Sequence, residues 1–522
     1  MSGIRLISGA LTVGVWTLLS RILGFVRDIL IAAWLGTGPV AEAFLVAFAL
    51  PNMFRRFFAE GAFNMAFVPM FSKKLEARDD AIGFAQSALA ALSLVLIVFT
   101  VLATIFMPWL VLAMASGFRG DERFDIAVTL GRIVFAYILF ISLAALFSGV
   151  LNASGRFVAA AAAPVLLNII LIGSLILAEA GLGSSLVGEA VGARHGTLLS
   201  FGVVMAGIAQ LALVWWAAAR AGFPLRLTWP RPSPELKRLL IIAAPAALAG
   251  GVVQVNLLIG RQVASFFDGA VAWLAYADRL YQLPLGVVGI AIGIVLLPDL
   301  SRRLQAEDVV GSRTALSRAT ELSLALAVPS AVALAVIPYS LISALFERGA
   351  FDATDTAATA LACAVYGLGL PAFVIQKVLQ PLYFAREDTR RPFYFAVVAM
   401  VLNAAIAVGL MSTLGYFAAA LGTTVAGWAM LALLWHGSRE MGDAANFESA
   451  TGPRVLRILA ASAVMGVCLW VSDRFVLASM METAKIAGVA LLCLIGIVTY
   501  VVAGLALGAF SMTDLRRLTR RG

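Results

Sequence analysis

The chain is poor in the residues on which most enzyme chemistry is built. Its three cysteines, Cys363, Cys468 and Cys493, lie in separate apolar runs without a C-x-x-C spacing. They read as small buried hydrophobes, which excludes a disulfide framework or a thiolate metal cage. The two histidines, His195 and His436, are far apart and close to loop sequence, so no zinc or haem site is expected. There is no H-E-x-x-H, no Walker A and no G-x-S-x-G, which argues against a zinc protease, an ATP-driven machine and a serine hydrolase. Charge is scarce as well: only 13% of residues are charged, against about 25% in a soluble domain.

What fills the chain instead is apolar: 62% of the 522 residues are hydrophobic, and the mean hydropathy is +0.97. A membrane-spanning helix needs about 20 apolar residues, and with a short connection it uses about 35 residues of chain. Apolar runs fall near 10–35, 40–70, 80–114, 126–151, 157–180, 196–219, 239–267, 271–298, 319–346, 357–384, 392–413, 416–435, 455–476 and 484–510. They are continuously apolar rather than alternating over about ten residues, so they predict helices and not a barrel. The fold expected is an all-α polytopic membrane protein of 14 transmembrane helices, with no room for a large soluble domain. The first run lacks the compact basic region and small-residue cleavage site of a signal peptide, so it reads as a retained span.

Loop charges set the expected orientation. With the N-terminus in the cytoplasm, 24 of the 38 basic residues fall in cytoplasmic segments and six outside, namely Arg119, Arg123, Arg194, Arg348, Arg474 and Lys485. Cytoplasmic loops carry the excess of Lys and Arg, so both termini are expected inside. The pI of 9.8 is therefore orientation charge, and a nucleic-acid partner is not expected.

An internal repeat runs through the chain. Pro69 to Asp79 matches Pro298 to Asp308 at an offset of 229, with Pro, Ser, Leu, Ala and Asp recurring and two basic residues in register. Tyr137 matches Tyr366 at 229, Pro108 matches Pro338 at 230, and Pro51 matches Pro284 at 233. An offset of six helices predicts two parallel six-helix lobes, 1–222 and 223–445, followed by a helix pair with a basic cytoplasmic tail at 446–522. Repeated six-helix halves are a transporter architecture, with the substrate site near their interface.

Eight basic residues remain inside the runs: Arg21, Arg27, Arg55, Arg56, Arg132, Arg261, Arg279 and Lys377. Each costs about 2.5–3.5 kcal/mol at the centre of a span on insertion scales, so it must face a cavity or a partner. Arg132 and Arg261 lie near span ends and read as snorkelling residues, and Lys377 is left open between local contact and the interior. Arg21, Arg27, Arg55, Arg56 and Arg279 are the candidates. Arg21, Gly24 and Asp28 share one helix face by their spacing of three and seven. Pro51 should break or kink the second helix in front of Arg55 and Arg56. The interior anions are fewer, namely Asp28, Glu42, Glu60 and Asp278, with Asp299 and Glu321 nearer the ends. Surplus positive charge in a watered cavity suits an anionic substrate, and the planar arginine fork suits phosphate or diphosphate oxygens.

Several stretches resemble a known family: S-R-I-L-G-F-V-R-D at 20–28, L-P-N-M-F-R-R-F-F-A-E-G-A-F at 50–63, F-V-P at 67–69, Y-A-D-R-L at 276–280 and L-L-P-D-L-S at 296–301. They are similar to the MurJ (MviN) lipid II flippase family of the multidrug/oligosaccharidyl-lipid/polysaccharide exporter superfamily, and the similarity runs along essentially the whole chain. The resemblance implies a 14-helix flippase of the bacterial inner membrane that moves the undecaprenyl-diphosphate-linked peptidoglycan precursor by alternating access. It implies substrate-binding roles for Arg21, Arg27, Arg55 and Arg279, with Asp28 as their acidic neighbour. Glu42 stands where relatives often carry Asp, Ala49 where some carry Lys, and Gln282 where some carry Glu. No cofactor is implied. Coupling to a monovalent cation or to membrane potential is, although the seventh and eleventh runs offer only Asn256 and Asn403 and no carboxylate, so no metal site is assigned. Gly24, Glu42, Pro51, Arg56, Glu60 and Asp278 are expected to gate or support the site. The last two helices would form a groove for the lipid tail. Phospholipid and cell-wall synthesis proteins are the other expected partners.

Competing readings are a flippase for another polyprenyl-diphosphate oligosaccharide, a non-transporting cell-wall scaffold, and an integral-membrane glycosyltransferase. The first shares the diphosphate. The second leaves the interior arginines unexplained, and the third lacks a convincing carboxylate base or metal site.

Overall fold

A computed structural model of the chain describes residues 3–55, 62–229, 233–476, 480 and 484–510. Among these residues the structure is helical, with a single isolated bridge, Arg348 to Phe351, in place of any strand. Every apolar run named above contains helix. Ten helical segments are long and apolar enough to cross a membrane, judged by length and composition.

The chain packs as two compact units, Met1–Ala272 with Arg348–Phe351, and Trp273–Glu347 with Asp352–Gly522. The first holds α1 (Gly3–Leu35), α2 (Pro39–Arg55), α3 (Ala62–Glu76), α4 (Ala81–Ile105), α5 (Met107–Met114), α6 (Glu122–Val134), α7 (Tyr137–Ala153), α8 (Val158–Glu179), α9 (Ala193–Arg220) and α10 (Pro234–Ala264). In it α1 packs on α8, α8 on α9, α2 on α6, α7 on α9, and α3 on α10. The division falls in the first turn of α11 (Ala270–Gln305).

The second unit continues with α12 (Val309–Val336), α13 (Pro338–Phe346), α14 (Ala353–Phe384), α15 (Arg390–Gly409), α16 (Met411–Leu414), α17 (Phe417–Ser438), α18 (Thr451–Val471) and α19 (Lys485–Ala506). Here α14 packs on α12 and α17, and α18 lies between α12 and α19. Met465, Leu469, Leu492 and Tyr500 close that last contact, and the Tyr500 hydroxyl donates to the Ala325 carbonyl at 2.8 Å. Outside the apolar seam, Arg454 pairs with Glu321 at 2.7 Å and Lys485 with Glu347 at 2.9 Å. Partial burial pushes the Glu347 carboxyl up, but hydrogen bonds from Ser343, Lys485 and Thr356 outweigh it and hold the group below its ordinary range.

The outer faces of the spans are apolar. On α4, Leu94, Val95, Ile97, Val98, Val101 and Leu102 are all about half exposed. A continuous apolar stripe of this kind would drive aggregation in water, and hydrocarbon is its natural solvent.

The repeat read from the sequence recurs in the structure's turns. Arg78 and Glu307, 229 residues apart, both take φ of 54°. Beside them Lys74 pairs with Asp79 at 2.5 Å and Arg303 with Asp308 at 3.3 Å, at the same offset. Asp80 and Asp308 then cap the next helices, accepting from the amides of Gly83 and Gly311. The capped helices stop after 25 and 28 residues, and Pro108 or Pro338 opens a short second helix. Proline at the first turn sets the helical φ and has no N–H to leave unsatisfied. Gly36 and Gly269, both at positive φ, precede α2 and α11 at the 233 offset of Pro51 and Pro284.

The described helix α2 runs without a break through Pro51 to Arg55. Proline removes the bond its amide would make to the Ala47 carbonyl, and next to it Asn52 donates its side-chain amide to the Phe48 carbonyl at 2.8 Å.

Candidate functional site

The first candidate cluster is built on α1. Arg21 is exposed, whereas Arg27 and Asp28 are each only 6% exposed. The Arg27 Nε and Nη2 donate to one oxygen of Asp28, at 3.0 and 2.7 Å, so the two residues form a buried ion pair within one helix. Nη1 donates to the side-chain oxygen of Asn168 on α8 at 2.9 Å. Gly24, one turn earlier, is where α8 comes close, since a Cβ there would lie 3.5 Å from the Asn168 oxygen. Through Gly24 the helix α1 is unbroken. Asn168 was not singled out by sequence reasoning, although the signal was present: an amide side chain in the otherwise apolar run 157–180 needs a polar partner in the membrane.

On α2, Pro51 is buried and Arg55 is half-buried at the helix end. Arg56 and Glu60 lie outside the described residues. In the second unit, α11 carries Asp278 half-buried and Arg279 exposed. Asp278 accepts from the Gln282 amide. The neighbouring Tyr281 ring packs against Tyr366 and Phe373, with centroids 5.3 and 5.9 Å apart. Asn256 is half-buried and Asn403 fully buried. Among the described residues no three His, Cys, Asp or Glu side chains are grouped to hold a metal ion.

Glu42, read as an interior anion that gates or supports the site, is paired with an arginine outside the candidate set. It is 1% exposed and accepts from Arg123 Nη1 at 2.9 Å and from the Val271 backbone amide at 2.9 Å. Arg123 was read as one of the six loop cations outside, yet it is only 6% exposed. Besides Glu42 it pairs with Asp121 and, at 2.8 Å, with the exposed Asp268, and its guanidinium sits 4.7 Å from the Phe118 ring centre. One arginine thus joins the starts of α2 and α6 to the turn before α11. The Asp121-x-Arg123 spacing was visible in the sequence, but Glu42 is 81 residues away.

The same end of this unit is stitched further. The Gln262 side chain on α10 accepts from the Ser116 amide and hydroxyl at 2.8 Å and donates to the Leu112 and Ala113 carbonyls. Ser265 accepts from the Gly117 amide at 2.9 Å. The Ala350 amide donates to the Ala33 carbonyl at 2.7 Å, an approach that depends on two glycines. A Cβ on Gly36 would lie 2.5 Å from the Ala350 oxygen, and one on Gly349 would lie 2.1 Å from the Ala33 oxygen, with φ of +62° and +59°. The left-handed conformation alone costs a residue with a Cβ about 1–2 kcal/mol. Gly36→Ala and Gly349→Ala are therefore each expected to lower the melting temperature in detergent by several degrees. Gly38→Ala, whose Cβ would meet nothing closer than 3.9 Å, is the control and should stay near wild type. Equal melting temperatures for all three would refute the close-approach argument.

A helical protein with ten segments long and apolar enough to cross a membrane, and a buried arginine–aspartate pair on α1, falls in the class of polytopic membrane proteins. Comparison with known proteins narrows the class. The sequence profile of the family described as "Lipid II flippase MurJ" matches residues 31–508. The "Probable lipid II flippase MurJ" of Rhizobium tropici is 42% identical over 99% of this chain and 97% of its own length. That of Rhizobium meliloti (strain 1021) is also 42% identical, over 98% and 96%. Among solved structures, "Lipid II flippase MurJ, inward closed conformation" superposes with a TM-score of 0.79 at 24% identity, covering 94% of this chain and 97% of that one. The chain belongs to the lipid II flippase MurJ family.

Proposed function

We propose that this chain is the flippase that carries lipid II from the inner to the outer leaflet of the bacterial cytoplasmic membrane. The observation that carries the proposal is the 42% identity over 99% of the chain to a relative named a probable lipid II flippase. In this reading all fourteen runs span the membrane with both termini in the cytoplasm, and the two repeated halves, 1–222 and 223–445, form the transporter proper. The diphosphate is gripped by Arg21, Arg27, Arg55 and Arg279. The lipid tail stays in hydrocarbon along α18 and α19.

Transport by alternating access requires that one end of the helices be shut while the other is open. The stitches around Arg123, Gln262 and Gly349 join segments from both repeat halves, and the loop-charge orientation assigns them to the outer face. They are what must part for release outward. Because a shut and an open state must exchange, these contacts are individually short and polar, and several are to exposed partners such as Asp268, rather than one large apolar seam.

The test is twofold. The chain should sustain growth of a strain depleted of its own lipid II flippase, and the purified protein in liposomes should deliver lipid II to the outer leaflet. Failure of both would refute the function, whereas transport of a different polyprenyl-diphosphate oligosaccharide in place of lipid II would reassign the substrate.

A further inference from the structure

We propose that Asn168 is the positioning residue for Arg27: a neutral placeholder that holds the guanidinium ready and gives up its place to a diphosphate oxygen when substrate arrives. This deepens the function proposed above and rests on it. The observation is the way Asn168 is itself held. It is 5% exposed on α8, and its side-chain nitrogen donates to the Ser20 carbonyl at 2.9 Å, with the Ser20 hydroxyl at 3.3 Å and the Pro164 carbonyl at 3.4 Å. With its nitrogen ringed by acceptors, the amide can present only its oxygen to Arg27. The orientation is imposed by α1 and α8 and not by the arginine.

Arg27 is thus held from two sides by unequal partners. Asp28 takes Nε and Nη2 with a carboxylate, and Asn168 takes Nη1 with an uncharged amide oxygen. Both sets of bonds are charge-assisted, but only Asp28 adds the attraction of an opposite charge, and it is held by two nitrogens where Asn168 is held by one. An incoming diphosphate oxygen therefore displaces the amide and leaves the carboxylate in place. Three of the five guanidinium N–H groups are engaged among the described residues, so two more are available to the same ligand. The neutrality of Asn168 matters as much as its position: a carboxylate there would neutralise the arginine for good and compete with the substrate. Gly24 lies beside the same amide, where an added Cβ would make ordinary contact with the Asn168 oxygen at 3.5 Å.

The experiment uses the purified full-length chain in nanodiscs, with lipid II as the titrated ligand and thermal unfolding as the control for folding. Asn168→Leu removes both amide functions at similar volume and should weaken lipid II binding about tenfold with the melting temperature near wild type. In an Arg27→Ala background the same change should weaken binding no further, because the residue acts through Arg27. The other proposed arginines keep binding measurable in that background. Wild-type affinity for Asn168→Leu, or a double variant whose loss is the product of the single losses, would overturn the positioning role. Wild-type affinity for Arg27→Ala would instead overturn the substrate role of Arg27, a separate failure. Should Asn168→Leu not fold, Asn168→Asp decides. Its affinity should fall more than tenfold at neutral pH and recover on acidification, when the new carboxyl becomes neutral; unchanged affinity at neutral pH refutes the proposal.

Discussion

Arg27→Ala and Arg279→Ala are each expected to slow lipid II translocation by reconstituted protein at least about tenfold, and neither chain should support growth of a flippase-depleted strain. A hydrogen bond to a charged group contributes about 1.5–3 kcal/mol, and each 1.4 kcal/mol is a factor of ten, so losing one fork from a diphosphate predicts a fall of roughly 10- to 150-fold. The two variants should differ in stability. Arg279 is exposed, so its removal should change the melting temperature less than removal of the buried Arg27. Arg27 is buried in an ion pair with Asp28 at 2.7 Å, so Arg27→Ala should lower it as well. Translocation at the wild-type rate by either variant would remove that residue from the substrate site. A fall in transport by Arg279→Ala that merely tracked loss of folded protein would do the same.

The largest effect on stability is expected at Arg123→Met. This change leaves Glu42, 1% exposed, with its charge in a buried site and without its guanidinium partner. Breaking one side of a buried pair typically costs about 3–5 kcal/mol, whereas replacing both sides by well-packed apolar residues is often neutral. Arg123→Met should therefore unfold at a markedly lower temperature, and Glu42→Met combined with Arg123→Met should regain most of the loss. The rescued double variant then isolates function from folding: if these residues shut one end of the transporter, it should be stable yet translocate lipid II at an altered rate. A double variant as unstable as Arg123→Met would show that packing around Phe118 and Asp121, and not the charge pair, holds this junction.

The contrast between Arg27 and Arg123 shows what the sequence could and could not reveal. Hydropathy places a residue by depth along a helix, and depth was enough to place helix in every apolar run and to single out Arg27, which is buried in an ion pair. It did not show where helices restart: 80–114 and 319–346 read as single runs, yet a short second helix opens at Pro108 and at Pro338. Depth says nothing of which neighbour a side chain meets. Arg123 looked like a loop cation because it follows a Gly-Asp-Glu turn, and its burial comes from Glu42 and Asp268, distant in sequence and brought together only by folding. Asn168 escaped for the same reason: its partners are Ser20 and Arg27, about 140 residues away. At Pro51 the sequence does not say how the helix continues, and the bond from the Asn52 side-chain amide to the Phe48 carbonyl depends on a rotamer that sequence leaves open.

The carboxylate of Glu42 has an implication for how such a chain arose. It sits in the first turn of α2 and accepts from the first turn of α11, the helix that occupies the matching place in the second repeat. Two helix N-termini, each carrying a partial positive charge, therefore meet around one acid. In a dimer of identical half-length ancestors, any residue at this meeting point would have been present twice, as two facing carboxylates or as none. Duplication followed by fusion frees the two copies to diverge, so that a single acid can answer both helix ends and still bind Arg123. The junction is a place where joining the halves in one polypeptide permitted an arrangement that strict twofold symmetry forbids.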